Sequence, residues 1–96
     1  MKVTKFGERI RELRENQNIF QRQLAASMDM DTAMLSKIEK GVRKAKKDQV
    51  TLFAELLKTD AKDLLTLWCA EQVFEILNDD VNMDEVFNAA KAMQNK

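Results

Sequence analysis

Residues 21–41 read QRQLAASMDMDTAMLSKIEKG, and this stretch decides the fold. Leu24, Ala25 and Met28 fall on one side of a helical wheel, so residues 21–28 predict a short amphipathic helix. Asp29-Met30-Asp31 follows. Two Asp in three residues read as a turn and then an N-cap, because a short carboxylate accepts from the N–H groups that a helix start leaves unpaired. Asp31 thus opens a second helix over residues 32–40, with Leu35 and Ile38 inward. Gly41 ends it, as the residue most tolerant of the left-handed C′ conformation. Ala25 is small where two crossing helices approach, and Met30 can plug the gap between them. Thr32, Ala33, Ser36, Lys37 and Lys40 are left on the outward face of the second helix. A helix presented this way fits the DNA major groove with its N-terminal side chains at base edges. Such hairpins also occur in proteins that bind no DNA, so the hairpin alone leaves the partner open.

Outward from this hairpin the helical pattern continues. Val3, Phe6, Ile10 and Leu13 recur at steps of three and four, predicting a helix over about 3–15 with Thr4 as its cap, ended by Asn16-Gln17-Asn18. Residues 42–47 form a basic loop. Asp48 is expected to cap a fourth helix carrying Val50, Phe53, Leu56 and Leu57. Thr59-Asp60 caps a fifth, from Ala61 through Leu64, Leu65, Leu67, Trp68, Val73, Phe74, Ile76 and Leu77 to Asn78-Asp79-Asp80. A sixth, about 83–93, carries Met83, Val86, Phe87, Ala90 and Met93. With no Pro and two Gly in 96 residues there is too little turn punctuation for a sheet, so the expected class is all-α.

The chain has no His, which removes His bases and His metal ligands, and its one Cys supports neither an intrachain disulfide nor a zinc site. No glycine-rich phosphate loop is present. The longest run after Asp63 free of charge and amide, residues 64–70, is too short to span a bilayer, and no apolar segment follows the basic residues 1–5. The expectation is a soluble cytoplasmic protein that is not an enzyme, with no metal, cofactor, membrane or small-molecule ligand. Cys69 is expected in the core, and Met28, Met30 and Met34 as core gap-fillers.

The zero net charge hides a division. Residues 1–47 hold twelve Lys/Arg and six acids, +6, while residues 48–96 hold four Lys and ten acids, −6. Six cations (Lys37, Lys40, Arg43, Lys44, Lys46 and Lys47) lie within eleven residues at the end of the outward-facing helix. Alone, this is as consistent with a solvated loop as with a phosphate-binding patch. Beside a groove-sized helix it favours DNA, since neutralised phosphates release counterions and this dominates affinity.

Over residues 6–65 the sequence resembles the lambda-repressor-like, or Cro/XRE, helix-turn-helix family. The resemblance is carried by Ile10-Arg11-Glu12-Leu13-Arg14, Gln21-Arg22-Gln23-Leu24-Ala25, Leu35-Ser36-Lys37-Ile38-Glu39-Lys40-Gly41 and Asp63-Leu64-Leu65. It implies a five-helix DNA-binding bundle, here with a C-terminal helical extension. It also implies a transcriptional regulator, of repressor or controller type, that binds a palindromic operator in double-stranded DNA as a homodimer and is thereby held on the nucleoid. By position, Thr32, Ala33, Ser36 and Lys37 would contact bases, Gln21 and Arg43 phosphates, and Arg14 and Glu39 would form an ion pair between the first and third helices. The cations Lys40, Lys44, Lys46 and Lys47 join the expected phosphate contacts. The chain departs from the family pattern at Phe20, where Ser or Thr is usual, at Asp29 for Gly and at Ala45 for Pro.

Residues 1–65 are thus expected to form the DNA-binding domain, and residues 66–96 a helical extension on the same core that supplies the dimer contact. Trp68, Phe74, Leu77, Val86 and Phe87 are the expected interface residues, Trp68 being equally readable as core. The alternative function is a helical protein–protein interaction module or antitoxin-like adaptor with little or no DNA binding. The cation cluster argues against it, because an adaptor has no need of six cations at one helix end.

Overall fold

The computed structural model describes residues 4–77 and 79–95. Six helices follow in order: α1 Phe6–Asn16, α2 Gln21–Ser27, α3 Thr32–Glu39, α4 Lys47–Leu56, α5 Ala61–Ile76 and α6 Met83–Gln94. There is no strand among the described residues, and the all-α class holds, with α1–α5 as the bundle and α6 as its extension. No described helix is long and apolar enough to cross a membrane.

The turns follow local chemistry. Asp31 accepts from Met34 N–H at 2.7 Å and Asp60 from Lys62 N–H at 2.8 Å, each supplying a partner the helix start lacks. Asn18 and Asp29 take the left-handed conformation at φ 57° and 56°, reversing the chain before α2 and α3. Gly41 does so after α3 at φ 79°.

Two expected caps are corrected. Lys5, and not Thr4, precedes α1, and Val3 of that predicted helix lies outside the described residues, as does Asn78. Lys46, and not Asp48, precedes α4: Gln49 reaches back to accept from Lys46 N–H at 2.9 Å. Asp48 lies in the first turn instead, where the helix dipole still favours its charge.

One core serves α1–α5. Ile10, Leu35, Val50, Phe53 and Leu57 are wholly buried at its centre, with Phe6 set edge-on to Phe53 at 6.2 Å between ring centroids. Gly7 marks a close approach of two helices. A Cβ built there would lie 2.3 Å from the Ile38 carbonyl oxygen and 2.6 Å from that of Glu39, so α1 rests directly on the end of α3.

Beyond residue 65 the chain continues as the rest of α5 and then α6. α5 passes through residue 65 without interruption, and Leu67 and Trp68 still pack on the core. The Trp68 indole N–H donates to the Ala45 carbonyl at 2.8 Å, which ties this residue to its own bundle rather than leaving it free for a partner. Cys69 is exposed, not core. α5 is apolar on nearly every side, so periodicity could not tell which side faces in.

α6 itself buries no residue, so the part of the chain beyond residue 65 that reaches the core does so through α5. The radius of gyration, 15.2 Å, exceeds the roughly 12.5 Å of a compact chain this long, and the extents of 43 × 27 × 27 Å show elongation along one axis.

Replacing Gly7 by Ala drives a methyl into backbone carbonyls that cannot rotate away. Chemical denaturation of Gly7→Ala is expected to show a loss of about 1–3 kcal/mol or more. An unchanged midpoint would mean that α1 and α3 are further apart than described.

Candidate nucleic-acid interface

The site is organised from beneath. Arg14, near the end of α1, meets Glu39, the last residue of α3. Arg14 Nε donates to Glu39 Oε2 at 2.8 Å and Nη2 to Oε1 at 3.1 Å, a two-bond fork. The Arg14 and Glu39 side chains are 10% and 3% exposed. Arg14 Nη1 also donates to the Ile19 carbonyl at 2.8 Å, and Gln21 Nε2 donates to Glu39 Oε1 at 2.9 Å. Among the described residues no buried side-chain nitrogen or oxygen lacks a partner.

The network joins α1, the turn before α2, the start of α2 and the end of α3. An acid at a helix C-terminus is disfavoured by the helix dipole, and the guanidinium offsets this. The Arg14 pKa is raised above its ordinary value, first by the hydrogen bonds to Glu39. Burial opposes the rise, and attraction to Glu39 and Glu15 adds to it.

Above this floor α3 presents its outer side. Thr32, Ala33, Lys37 and Lys40 are exposed and Ser36 is half-buried. An open groove of about 1070 Å³ runs beside them, walled on one side by α1, with Glu8, Arg11, Glu12 and Glu15, and on the other by Thr32 and Ser36 of α3, Lys40 just after it, and Phe20, Gln21 and Arg22 around the start of α2. The Gln21 side-chain nitrogen is held by Glu39 and retains a second hydrogen for another acceptor.

The loop after α3 is clamped to it. Val42 and Arg43 both donate their N–H to the Lys37 carbonyl, at 2.9 and 3.2 Å. Ala45 is buried and receives Trp68. Arg43, Lys44, Lys46 and Lys47 are exposed around this anchor. Among the described residues, only Lys44 of the cations at residues 37–47 has a carboxylate within ion-pair distance, Glu75 of α5 at 3.6 Å, and with both side chains more than half exposed that pair is weak.

At the other end, Leu65, Val73, Phe74, Leu77, Met83 and Phe87 line an open apolar groove of about 620 Å³ between α5 and α6. Of the expected dimer residues, Phe74 and Phe87 are exposed, Leu77 and Val86 half-buried, and Trp68 turns to its own core. No group of acidic residues or Cys able to hold a metal occurs among the described residues.

Three features had no reading from the sequence. Gly7 sets the α1–α3 approach, Gln17 donates to the Leu57 carbonyl at 2.7 Å, and Arg22 stacks on the Phe20 ring. Only a glycine inside the first amphipathic pattern, costly to helix stability, was a signal for the first.

A helix-turn-helix family model matches residues 10–64, more than half of the chain. The restriction-modification controller protein C.AhdI from Aeromonas hydrophila is similar in structure, 29% identical over 62% of this chain and 89% of its own, with a TM-score of 0.57. The clp gene regulator ClgR from Corynebacterium glutamicum is similar in two crystal structures. One is 20% identical over 69% of this chain and 86% of that one, TM-score 0.59. The other is 16% identical over 93% of this chain and 86% of that one, TM-score 0.60. At those identities ClgR speaks for the fold. No curated protein matches the chain.

Removing one member of the buried pair strands the other. Glu39→Ala is expected to destabilise the chain by about 3–5 kcal/mol, measured by urea unfolding, because Arg14 is left buried without its counter-charge. A loss below about 1 kcal/mol would show that Arg14 is free to leave for solvent.

Proposed function

The chain belongs to the helix-turn-helix family and is a DNA-binding transcriptional regulator, and we propose that it binds a palindromic operator as a homodimer with one α3 per half-site. The observation that carries this reading is the clamped end of α3. Lys37, Lys40, Arg43, Lys46 and Lys47 lie on it and on the chain that follows, exposed and without ion-pair partners among the described residues. Fixed cations at one end of a helix with a small outer face suit a charged groove better than open water.

In this arrangement Thr32, Ala33, Ser36 and Lys37 face base edges. Lys37 prefers guanine O6 and N7, and Ala33 and the Thr32 methyl suit a thymine methyl. Gln21, Lys40, Arg43, Lys44, Lys46 and Lys47 take phosphates, which sets register without reading sequence. The −6 half is held away from the DNA, and its apolar α5–α6 groove is covered by a second copy through Phe74, Leu77, Val86 and Phe87. Residues up to about 65, with α5 continuing from them, act as the DNA-binding unit, and the remainder as the dimer element. Occupancy of the operator, set by protein concentration in the cytoplasm, then occludes or recruits polymerase. The likeness to C.AhdI supports a compact controller or repressor.

Salt dependence tests both the contact and the stoichiometry. With four to six phosphates per chain, the log–log slope of affinity against salt is expected near −7 to −11 for a dimer, and about half that for one chain per site. A slope shallower than about −3 contradicts the reading. On the operator, Lys37→Ala should cost about 1–3 kcal/mol and relax preference at one base pair, while Lys44→Ala weakens all sequences alike. Equal, uniform losses for the two would mean α3 is not the reading helix.

A further inference from the structure

Phe20 and Arg22 stand in the groove between α1, α2 and α3 with no part in the contacts assigned so far. Phe20 precedes α2, and its ring has no oxygen to offer the helix start. Its backbone is instead fixed by donation to Gln23 Oε1 at 2.9 Å, which leaves the ring 59% exposed. The Arg22 guanidinium carbon lies 4.8 Å from the centroid of that ring, a cation–π stack.

Stacking occupies one face of the guanidinium and leaves its edge, with its N–H donors, open. Arg22 also differs from its neighbours on α1. Arg9, Arg11 and Arg14 pair with Glu12, Glu15 and Glu39, whereas Arg22 has no carboxylate partner among the described residues. This guanidinium, held against a ring and without an ion-pair partner among the described residues, borders a groove shared with Thr32, Ser36 and Lys40 and with Glu8, Glu12 and Glu15 of α1, and its paired N–H donors match the two-oxygen geometry of a phosphate.

We propose that Arg22, oriented by the Phe20 ring, binds a backbone phosphate of DNA beside the groove that α3 enters. This rests on α3 being the helix that meets DNA. It adds a second, charged phosphate contact from α2 to those of Gln21 and the loop after α3, with Arg22 as the binding residue and Phe20 as its positioning residue.

The contact is independent of sequence, so a mixed-sequence duplex of about 30 base pairs serves as the probe, read by fluorescence anisotropy across a salt series. Arg22→Ala is expected to lower the slope by about 0.9 per bound chain and to weaken binding roughly tenfold at low salt. Arg22→Lys keeps most of the slope but binds less tightly, since an ammonium neither stacks nor forks as well. Phe20→Ala weakens binding only when Arg22 is present. Both residues are exposed, so circular dichroism should show helicity unchanged in every variant. A steep wild-type slope that Arg22→Ala leaves unaltered overturns the phosphate contact. Equal weakening by Phe20→Ala with and without Arg22 overturns the positioning role. A shallow wild-type slope overturns the DNA-binding reading itself, and this proposal with it.

Discussion

The buried fork between Arg14 and Glu39 is the contact on which the geometry of the DNA-facing side depends. Taking two charges out of water is costly, and the cost is offset only if every donor and acceptor is matched. Here it is: the guanidinium holds both carboxylate oxygens and the Ile19 carbonyl, and Gln21 completes the carboxylate. The same requirement explains Gly7. Positions 7, 10 and 14 share one side of α1, so the helix must lie close along α3 for Arg14 to arrive at Glu39, and only a residue without a Cβ permits that. A small residue at one end of the contact and an ion pair at the other fix the pitch of α3 against α1.

From that fixed helix the charge separation gains its meaning. The +6 half carries the exposed side of α3 and the loop clamped to its end by Lys37, while the −6 half carries the far part of α5 and α6. In the arrangement proposed above, phosphate attracts the first and repels the second, which would orient an encounter before any base is touched. The two halves still meet at one place, where Glu75 of α5 lies 3.6 Å from Lys44 of the loop. α6 buries no residue of its own, which leaves the α5–α6 groove as apolar surface at the end that the field turns away from DNA.

The hairpin was legible because its signals are local. Asp31 as a cap, Gly41 as a stop, and Leu24, Leu35 and Ile38 as inward residues all follow from short-range chemistry and spacing, and the structure places them so. Signals failed where backbone or long side chains replaced them. Lys46 precedes α4 with Gln49 as its support, and Lys58 takes the left-handed turn at φ 55° with nothing in its chemistry to announce it. The apolar run of α5 hides its orientation, so Cys69 read as core and the indole bond of Trp68 to Ala45 went unseen. The outward face of α3 was readable by elimination. The Phe20–Arg22 stack was not, since it depends on side-chain conformation rather than on period.

The central claim is that this protein meets DNA through α3 and the clamped loop, with its acidic end turned away. Amide chemical-shift mapping during titration with a mixed-sequence duplex tests it most directly, since it asks every residue at once. The account predicts that the largest shifts fall at residues 20–22 and 32–47, with residues 83–94 unmoved. Shifts concentrated along α5 and α6 while α3 stays silent would contradict it.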